Sequence, residues 1–337
     1  MTKLLILGIN GFIGSAMVEK ILVETDWEIH GMDLSDHKIS QFIDHDRLHV
    51  VKGDVLVNSE WVEDKIKECD VIFPLVAVAN PALYVSDPLM VYKLDYESNI
   101  DIIKLCVTHK KHIVFPSTSE VYGMSPDIPF DEESSRLVTG PINKPRWIYS
   151  TAKQLLDRVI HAYGMQEGLS YTLFRPFNWI GPKQDDIKSS KDGSARVLVQ
   201  FVSNIMDGKP LKLVDGGRQR RCFTYIDDGI EALIEIVKKR NTTAKGAIFN
   251  IGNPDNEYSI AELAQLTLQT MARYPEYREK AKNTEIISVD SGSYYGSGYQ
   301  DVERRVPSIE NAKTKLNWQP KVSMREALER TLDYHFK

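Results

Sequence analysis

Leu4-Leu5-Ile6-Leu7-Gly8-Ile9-Asn10-Gly11-Phe12-Ile13-Gly14, residues 4–14, is the stretch that decides the fold. Its apolar opening reads as a short strand covered on both faces. Glycines at every third position follow at once. Beyond them Ile13, Met17, Val18, Ile21 and Leu22 fall on one face of a helix. A strand, a glycine turn and a helix N-terminus in succession aim backbone N–H groups at an anionic group, and the glycines let the backbone approach it closely. The spacing is G-x-x-G-x-x-G rather than G-x-G-x-x-G, and the flanking strand and helix supply the context that a bare glycine triplet lacks.

Outward from this stretch, short apolar runs alternate with helix-period segments. Strands are predicted at Lys3–Leu7, Glu28–Asp33, Leu48–Lys52, Val71–Pro74, His112–Pro116 and 172–176. Alternation of this kind means βαβ units and a parallel sheet with helices on both sides. After Pro176 the pattern loosens. Residues 181–196 read as a polar loop and 195–207 as a helix. A further strand at 247–251 returns to the sheet, and Ser259-Ile260-Ala261-Glu262 opens a helix with a capping box. The expected fold is α/β: a Rossmann-type doubly wound parallel sheet with a smaller, interleaved α/β C-terminal lobe. Residues 1–178 plus about 224–255 are assigned to the dinucleotide domain, and about 179–223 plus 256–337 to the substrate lobe.

The bulk composition removes whole classes of function. A chain of 337 residues, 42% hydrophobic and 26% charged, can bury a core without disulfides or metal. A net charge of −5 argues against a general nucleic-acid binder. Cys69, Cys106 and Cys222 lie far apart, the eight histidines show no metal spacing, and no apolar run approaches the ~18 residues of a membrane span. The first strand begins at residue 3, so no signal peptide is read and a reducing, cytoplasmic setting is expected. Cys106, Trp27 and Trp61 are read as packing residues, and His109 and His112 as solvent-facing.

Candidate site residues cluster around three signals. In the first, Gly8, Asn10, Gly11, Phe12, Ile13 and Gly14 form the diphosphate turn. Asp33 ends the second strand, where a carboxylate accepts hydrogen bonds from adenosine ribose hydroxyls and repels a 2′-phosphate. NAD is therefore expected rather than NADP. Asp54, beside Val55, either bonds the adenine amino group or serves a turn. The second signal is Tyr149-Ser150-Thr151-Ala152-Lys153, a Tyr and a Lys at i, i+4 on one helical face. An ammonium there favours the phenolate, making Tyr149 a base. The third is Ser117-Thr118-Ser119-Glu120, at the C-terminal end of the fifth strand, where open α/β sheets bind ligands.

These residues, with Phe223-Thr224-Tyr225-Ile226-Asp227-Asp228, resemble the extended short-chain dehydrogenases/reductases, most of which act on nucleotide sugars. Longer words narrow the likeness: FPSTSEVYG (115–123), GPINKPRWIY (140–149), FRPFNW (174–179) and YYGSGYQDVERRVPS (294–308). They resemble the UDP-glucuronate oxidative decarboxylases that form one half of bifunctional polymyxin-resistance enzymes, over essentially the whole chain. The formyltransferase half of those enzymes is not expected here.

The resemblance implies oxidation of UDP-glucuronic acid at C-4 by NAD⁺, with Tyr149 and Lys153 taking the hydroxyl proton. Loss of CO₂ from the β-keto acid follows, assisted by Glu120 and Arg305, with Thr118 and Ser119 orienting the sugar. It further implies substrate contacts at Ala79, Tyr84, Arg146, Asn178 and Tyr299. The segment Lys212–Arg221, with Lys212, Arg218, Arg220 and Arg221, would hold the uracil and phosphates. A homodimer through helices near 91–106 and 147–163, and a part in lipid A modification, are implied as well. Sister groups fit less well. The 4,6-dehydratases carry Asp, and the UDP-apiose/xylose synthases Cys, where Ser119 stands. A 4-epimerase has no need of Glu120 with Arg305. A UDP-xylose synthase, which reduces the keto intermediate again, stays open. A non-catalytic NAD sensor would have lost Tyr149 or Lys153.

Overall fold

The computed structural model describes residues 1–187, 195–296 and 299–337. Strands β1 (Lys3–Leu7), β2 (Glu28–Asp33), β3 (Leu48–Lys52), β4 (Val71–Pro74), β5 (His112–Pro116), β6 (Tyr171–Pro176) and β7 (Ile248–Ile251) form one sheet. Its order is β7-β6-β5-β4-β1-β2-β3, and every pairing is parallel. This is the doubly wound arrangement that the sequence predicts, with boundaries reproduced to within one residue.

Alternation along the strands builds two cores. Leu4 and Ile6 of β1 face one side of the sheet, where α1 (Phe12–Glu24) packs. Leu5 and Leu7 face the other, against α2 (Ser59–Glu68), α3 (Ser98–Thr108) and α4 (Trp147–Glu167). Cys106 and Trp27 are buried as expected. His112 is not solvent-facing: it is 5% exposed, with its ring nitrogens on the Ser170 and Thr172 hydroxyls. Burial pushes the imidazole down to about 4, so it is neutral. His109 meets Glu63 at 3.0 Å.

The rest of the chain packs beside α1 on the Leu4 and Ile6 face of the sheet and over its C-terminal edge. Helix α5 (Val197–Asp207) starts two residues later than predicted, because its first turn waits for Arg196 to dock on Asp185. Residues 188–194 of the predicted loop lie outside the described residues. Helices α6 (Ile226–Lys238), α7 (Ile260–Met271, with both halves of the capping box present) and α8 (Met324–Phe336) complete this part. The strand Leu211–Val214 pairs with Ile286–Val289. Arg220–Cys222 lies between Glu257–Ser259 and Arg304–Arg305. The tail carrying Arg305 is tied to the sheet through Phe130, whose N–H donates to the Val306 carbonyl at 2.7 Å. Asn250 of β7 donates to the carbonyls of both Phe130 and Ser308. Glu132 accepts the Asn250 N–H on Oε1, while its buried Oε2 has no hydrogen-bond partner among the described residues. Burial pushes that carboxyl up to about 7.

Candidate functional site

Strand order reverses between β1 and β4, and the crevice at that switch point is where a doubly wound sheet binds ligands. The glycine loop sits at this place. Gly8 has φ +87°, a conformation that side chains disfavour. A Cβ on Gly14 would stand 2.5 Å from the Gly8 carbonyl oxygen, so only glycine lets α1 start this close to β1. Asn10 fixes the loop from the side. Its N–H donates to Asp33 Oδ2 at 2.9 Å, its amide donates to Ser35, and its carbonyl accepts the Lys38 N–H. A rigid N–H-rich loop, an open helix N-terminus and a carboxylate one strand away are the donor set that a dinucleotide requires. Asp54 spends Oδ1 on the Leu56 N–H, which is turn chemistry, and Val55 packs partly buried beside it.

Next to the crevice, α4 presents Tyr149 and Lys153 from one buried face. The Thr118 hydroxyl bonds the Tyr149 phenol, and the Tyr84 ring stacks on it at 4.8 Å. Lys153 is 1% exposed and donates to the Pro116 carbonyl at 3.0 Å. Its other neighbour is Asp95, fully buried at 3.9 Å. Burial pushes the Asp95 carboxyl up to about 6, against the pull of Lys153 and of the Val78 N–H. The Lys153 ammonium is turned to Asp95 and the Pro116 carbonyl. Burial, and then the Asp95 charge, hold the phenol above its ordinary value. Burial also pulls the Lys153 ammonium down.

The floor of the cleft is made of charge. Glu120 accepts Arg305 on Oε1 at 2.6 Å and Arg146 on Oε2 at 2.7 Å. Burial works against its ionisation, but the two guanidiniums hold the carboxyl well below the usual carboxylate range. Asp301 is held low in the same way, by Arg221 at 2.6 Å and by Arg305 and Arg146 at 3.9 Å each. Arg146 also lies over the Trp147 and Tyr299 rings. Asn178, Lys212 and Tyr299 complete the wall.

Glu120, Arg146, Asn178, Lys212, Arg221, Tyr299 and Arg305 line one cleft. Thr118 and Ser119 immediately precede Glu120, and Tyr149 and Lys153 lie buried behind them. Ala79 is exposed on the loop after β4, and Tyr84 reaches the site beneath Tyr149. Two arginines fall elsewhere. Arg220 alternates with Arg221 along its strand, so its guanidinium faces out to Glu257 and Glu262, and Arg218 is exposed beyond the Gly216–Gly217 turn. The pocket is thus not simply cationic, because Glu120 and Asp301 balance much of its charge. Asp301 and Asp95 were missed. Asp301 sits inside the 294–308 word, of which residues 297–298 lie outside the described residues. Asp95 sits in the helical turn Lys93–Glu97 and shows no spacing that would single it out.

Glycine cradle, strand-end carboxylate and buried Tyr–Lys helix together define a dinucleotide-dependent Rossmann protein. The NAD dependent epimerase/dehydratase family matches residues 4–252, and the chain belongs to that family, the extended short-chain dehydrogenases/reductases, with NAD as its cofactor. Among solved structures it is similar to the PbgP3 protein from Burkholderia pseudomallei, at 49% identity over 99% of this chain and 96% of that one, with a TM-score of 0.90. The dTDP-glucose 4,6-dehydratase of Bacillus anthracis, solved with NAD, shares the fold at 23% identity, TM-score 0.80, over 99% and 96% of the two chains. The UDP-glucuronic acid 4-epimerase of Bacillus cereus, solved with UDP-glucuronic acid and NAD, does so at 21%, TM-score 0.80, over 99% and 98%. No helix among the described residues is long and apolar enough to cross a membrane.

Proposed function

We propose that this enzyme oxidatively decarboxylates UDP-glucuronic acid to UDP-4-keto-pentose and CO₂, with formation of NADH. The observation that carries the reading is the Arg305–Glu120–Arg146 cluster set beside Thr118, Ser119 and Tyr149. A 4-epimerase expels no carboxylate, so it leaves no enolate for such a cluster to stabilise, even where its sugar carries a carboxylate. The likeness of the 115–123, 140–149 and 294–308 words to UDP-glucuronate decarboxylases supports the same substrate.

The Gly8–Gly14 loop and Asp33 would hold NAD, which would supply a hydride acceptor and, in its oxidised form, a positive charge. With that positive charge beside it, Tyr149 would stand as the phenolate and accept the C-4 hydroxyl proton, with Thr118 and Ser119 orienting that hydroxyl. Lys153, anchored by Pro116 and Asp95, supports the phenol from below. The resulting ketone lies β to the carboxylate, so the electrons of the breaking C–C bond pass to the C-4 oxygen as CO₂ leaves. Arg305 binds the sugar carboxylate in competition with Glu120, then stabilises the enolate electrostatically until C-5 takes up a proton, matching the one given to Tyr149, to form the keto-pentose. A guanidinium with a pKa above ~12 is a poor proton donor, so its charge matters more than its acidity. Arg146, Arg221, Lys212, Asn178 and Tyr299 hold the diphosphate and uridine. On this reading residues 1–178 plus about 224–255 carry the cofactor, and about 179–223 plus 256–337 the nucleotide sugar. Exposed Leu89, Tyr92 and Leu155, on or next to the 91–106 and 147–163 helices, suit the homodimer.

The test is incubation with UDP-glucuronic acid and NAD⁺, following NADH absorbance and released CO₂, with product analysis by NMR. Stoichiometric NADH, CO₂ and keto-pentose are expected. UDP-xylose without net NADH would move the chain to the UDP-xylose synthases. Absence of CO₂ would overturn the assignment.

A further inference from the structure

At the end of the sheet opposite the cleft, three donors from two neighbouring strands converge. His30 of β2 and His49 of β3 are direct cross-strand partners. Glu28, two residues before His30, points to the same face. Glu28 Oε1 stands 2.8 Å from His30 Nε2 and 3.5 Å from His49 Nε2. The two imidazole rings are 4.8 Å apart, and the three ligand atoms all lie within 4.8 Å of one another.

We propose that Glu28, His30 and His49 form a binding site for a late first-row divalent cation of the Zn²⁺ type. Two imidazole nitrogens and one carboxylate oxygen suit Zn²⁺, Cu²⁺ or Ni²⁺, and are the wrong donors for Mg²⁺ or Ca²⁺. Ligand bonds of about 2.0–2.1 Å in a tetrahedron place neighbouring donors about 3.3 Å apart, so the 2.8 and 3.5 Å separations bracket the required edge. The fourth position is left to water. Backbone pairing of β2 with β3 sets the positions of both histidines in advance. His30 is 8% exposed in its side chain and held in place, whereas His49 is 49% exposed and offers an entry path.

One cation already stands there. The Lys3 ammonium is 3.3 Å from Glu28 Oε1 on a side chain 41% exposed, so it can swing into solvent when a metal arrives. Lys65, the next nearest cation, is neutralised by Glu68 at 2.7 Å. Bound metal would cross-link β3, the edge strand, to β2, well away from the cofactor crevice. The site is independent of the proposed reaction.

The experiment uses the full chain without an affinity tag, stripped with EDTA and dialysed. ZnCl₂ is titrated calorimetrically, and thermal unfolding is followed with ZnCl₂ or MgCl₂. One saturable Zn²⁺ equivalent is expected, with a midpoint rise of a few degrees for Zn²⁺ and none for Mg²⁺. Because His49 is exposed, His49→Ala should fold normally and retain NADH binding, yet bind Zn²⁺ at least about tenfold more weakly. Glu28→Gln should weaken it too, and Co²⁺ in the wild type should give the intense visible bands of a tetrahedral site. Absence of saturable Zn²⁺ binding, or binding unchanged in His49→Ala, would overturn the proposal.

Discussion

The two halves of the cleft are built on opposite principles. The cofactor side is backbone: a glycine loop whose shape is fixed because no Cβ fits at Gly14, braced by Asn10 against Asp33. It comes from one contiguous stretch and a single strand end. The floor is side chain: Glu120, Arg146, Arg221, Asp301 and Arg305, brought from distant segments and held by mutual charge. A backbone site tolerates little change of shape, and a charge site tolerates little change of charge.

Four substitutions would break or sharpen that contrast. Tyr149→Phe stands at the seam and should show the largest effect. The rate of NADH formation should fall by about 10²–10⁴, while NAD⁺ binding by calorimetry stays unchanged. Arg305→Ala should cost about 10²–10³ in CO₂ release and leave NAD⁺ affinity within twofold; equal losses in both would erase the distinction between floor and cradle. Asp33→Ala should do the reverse, weakening NAD⁺ roughly tenfold and relaxing discrimination against NADP⁺, as loss of charge-assisted hydrogen bonds predicts. Undiminished NAD⁺ affinity would remove Asp33 from the cradle.

Glu132→Gln should leave both halves intact and alter only stability. The Glu132 carboxyl is raised from 4.5 to about 7, so the wild type keeps this contribution below about pH 4.5 and loses it as pH rises through 7. The drop in unfolding free energy between pH 5 and pH 8 should therefore shrink by about 2–3 kcal/mol in the variant, measured by denaturant titration. An unaltered pH dependence would mean that Glu132 titrates normally.

The same contrast explains what could be read from sequence. The inner sheet strands were legible because most are short apolar runs closed by Gly, Pro or Asp, and burial on both faces leaves little else for such a run to do; the edge strand β3 is exposed at His49, Val51 and Lys52. Gly8–Gly14 and Tyr149–Lys153 were legible because their spacing is local. His112 misled because a histidine at a strand entrance looks solvated until Ser170 and Thr172 are known to flank it. Asp301 and Asp95 carried no local signal. Asp301 finds Arg221 across 80 residues, and Asp95 meets Lys153 only after α3 and α4 pack on the sheet. Arg220 and Arg221 read alike in a basic run, yet one residue of strand alternation sends them to opposite faces. The pairing of His30 with His49 required the register of β2 on β3.

The ion pair between Glu120 and Arg305 spans 185 residues, and the tail that bears Arg305 is held by Phe130 and Asn250. Arg305 is thus placed by the far end of the chain, while Glu120 and Arg146 are placed by the sheet and its helices. On the proposed reading, a disturbance of that tail would be felt as a lost charge at Glu120 before it was felt at the glycine loop.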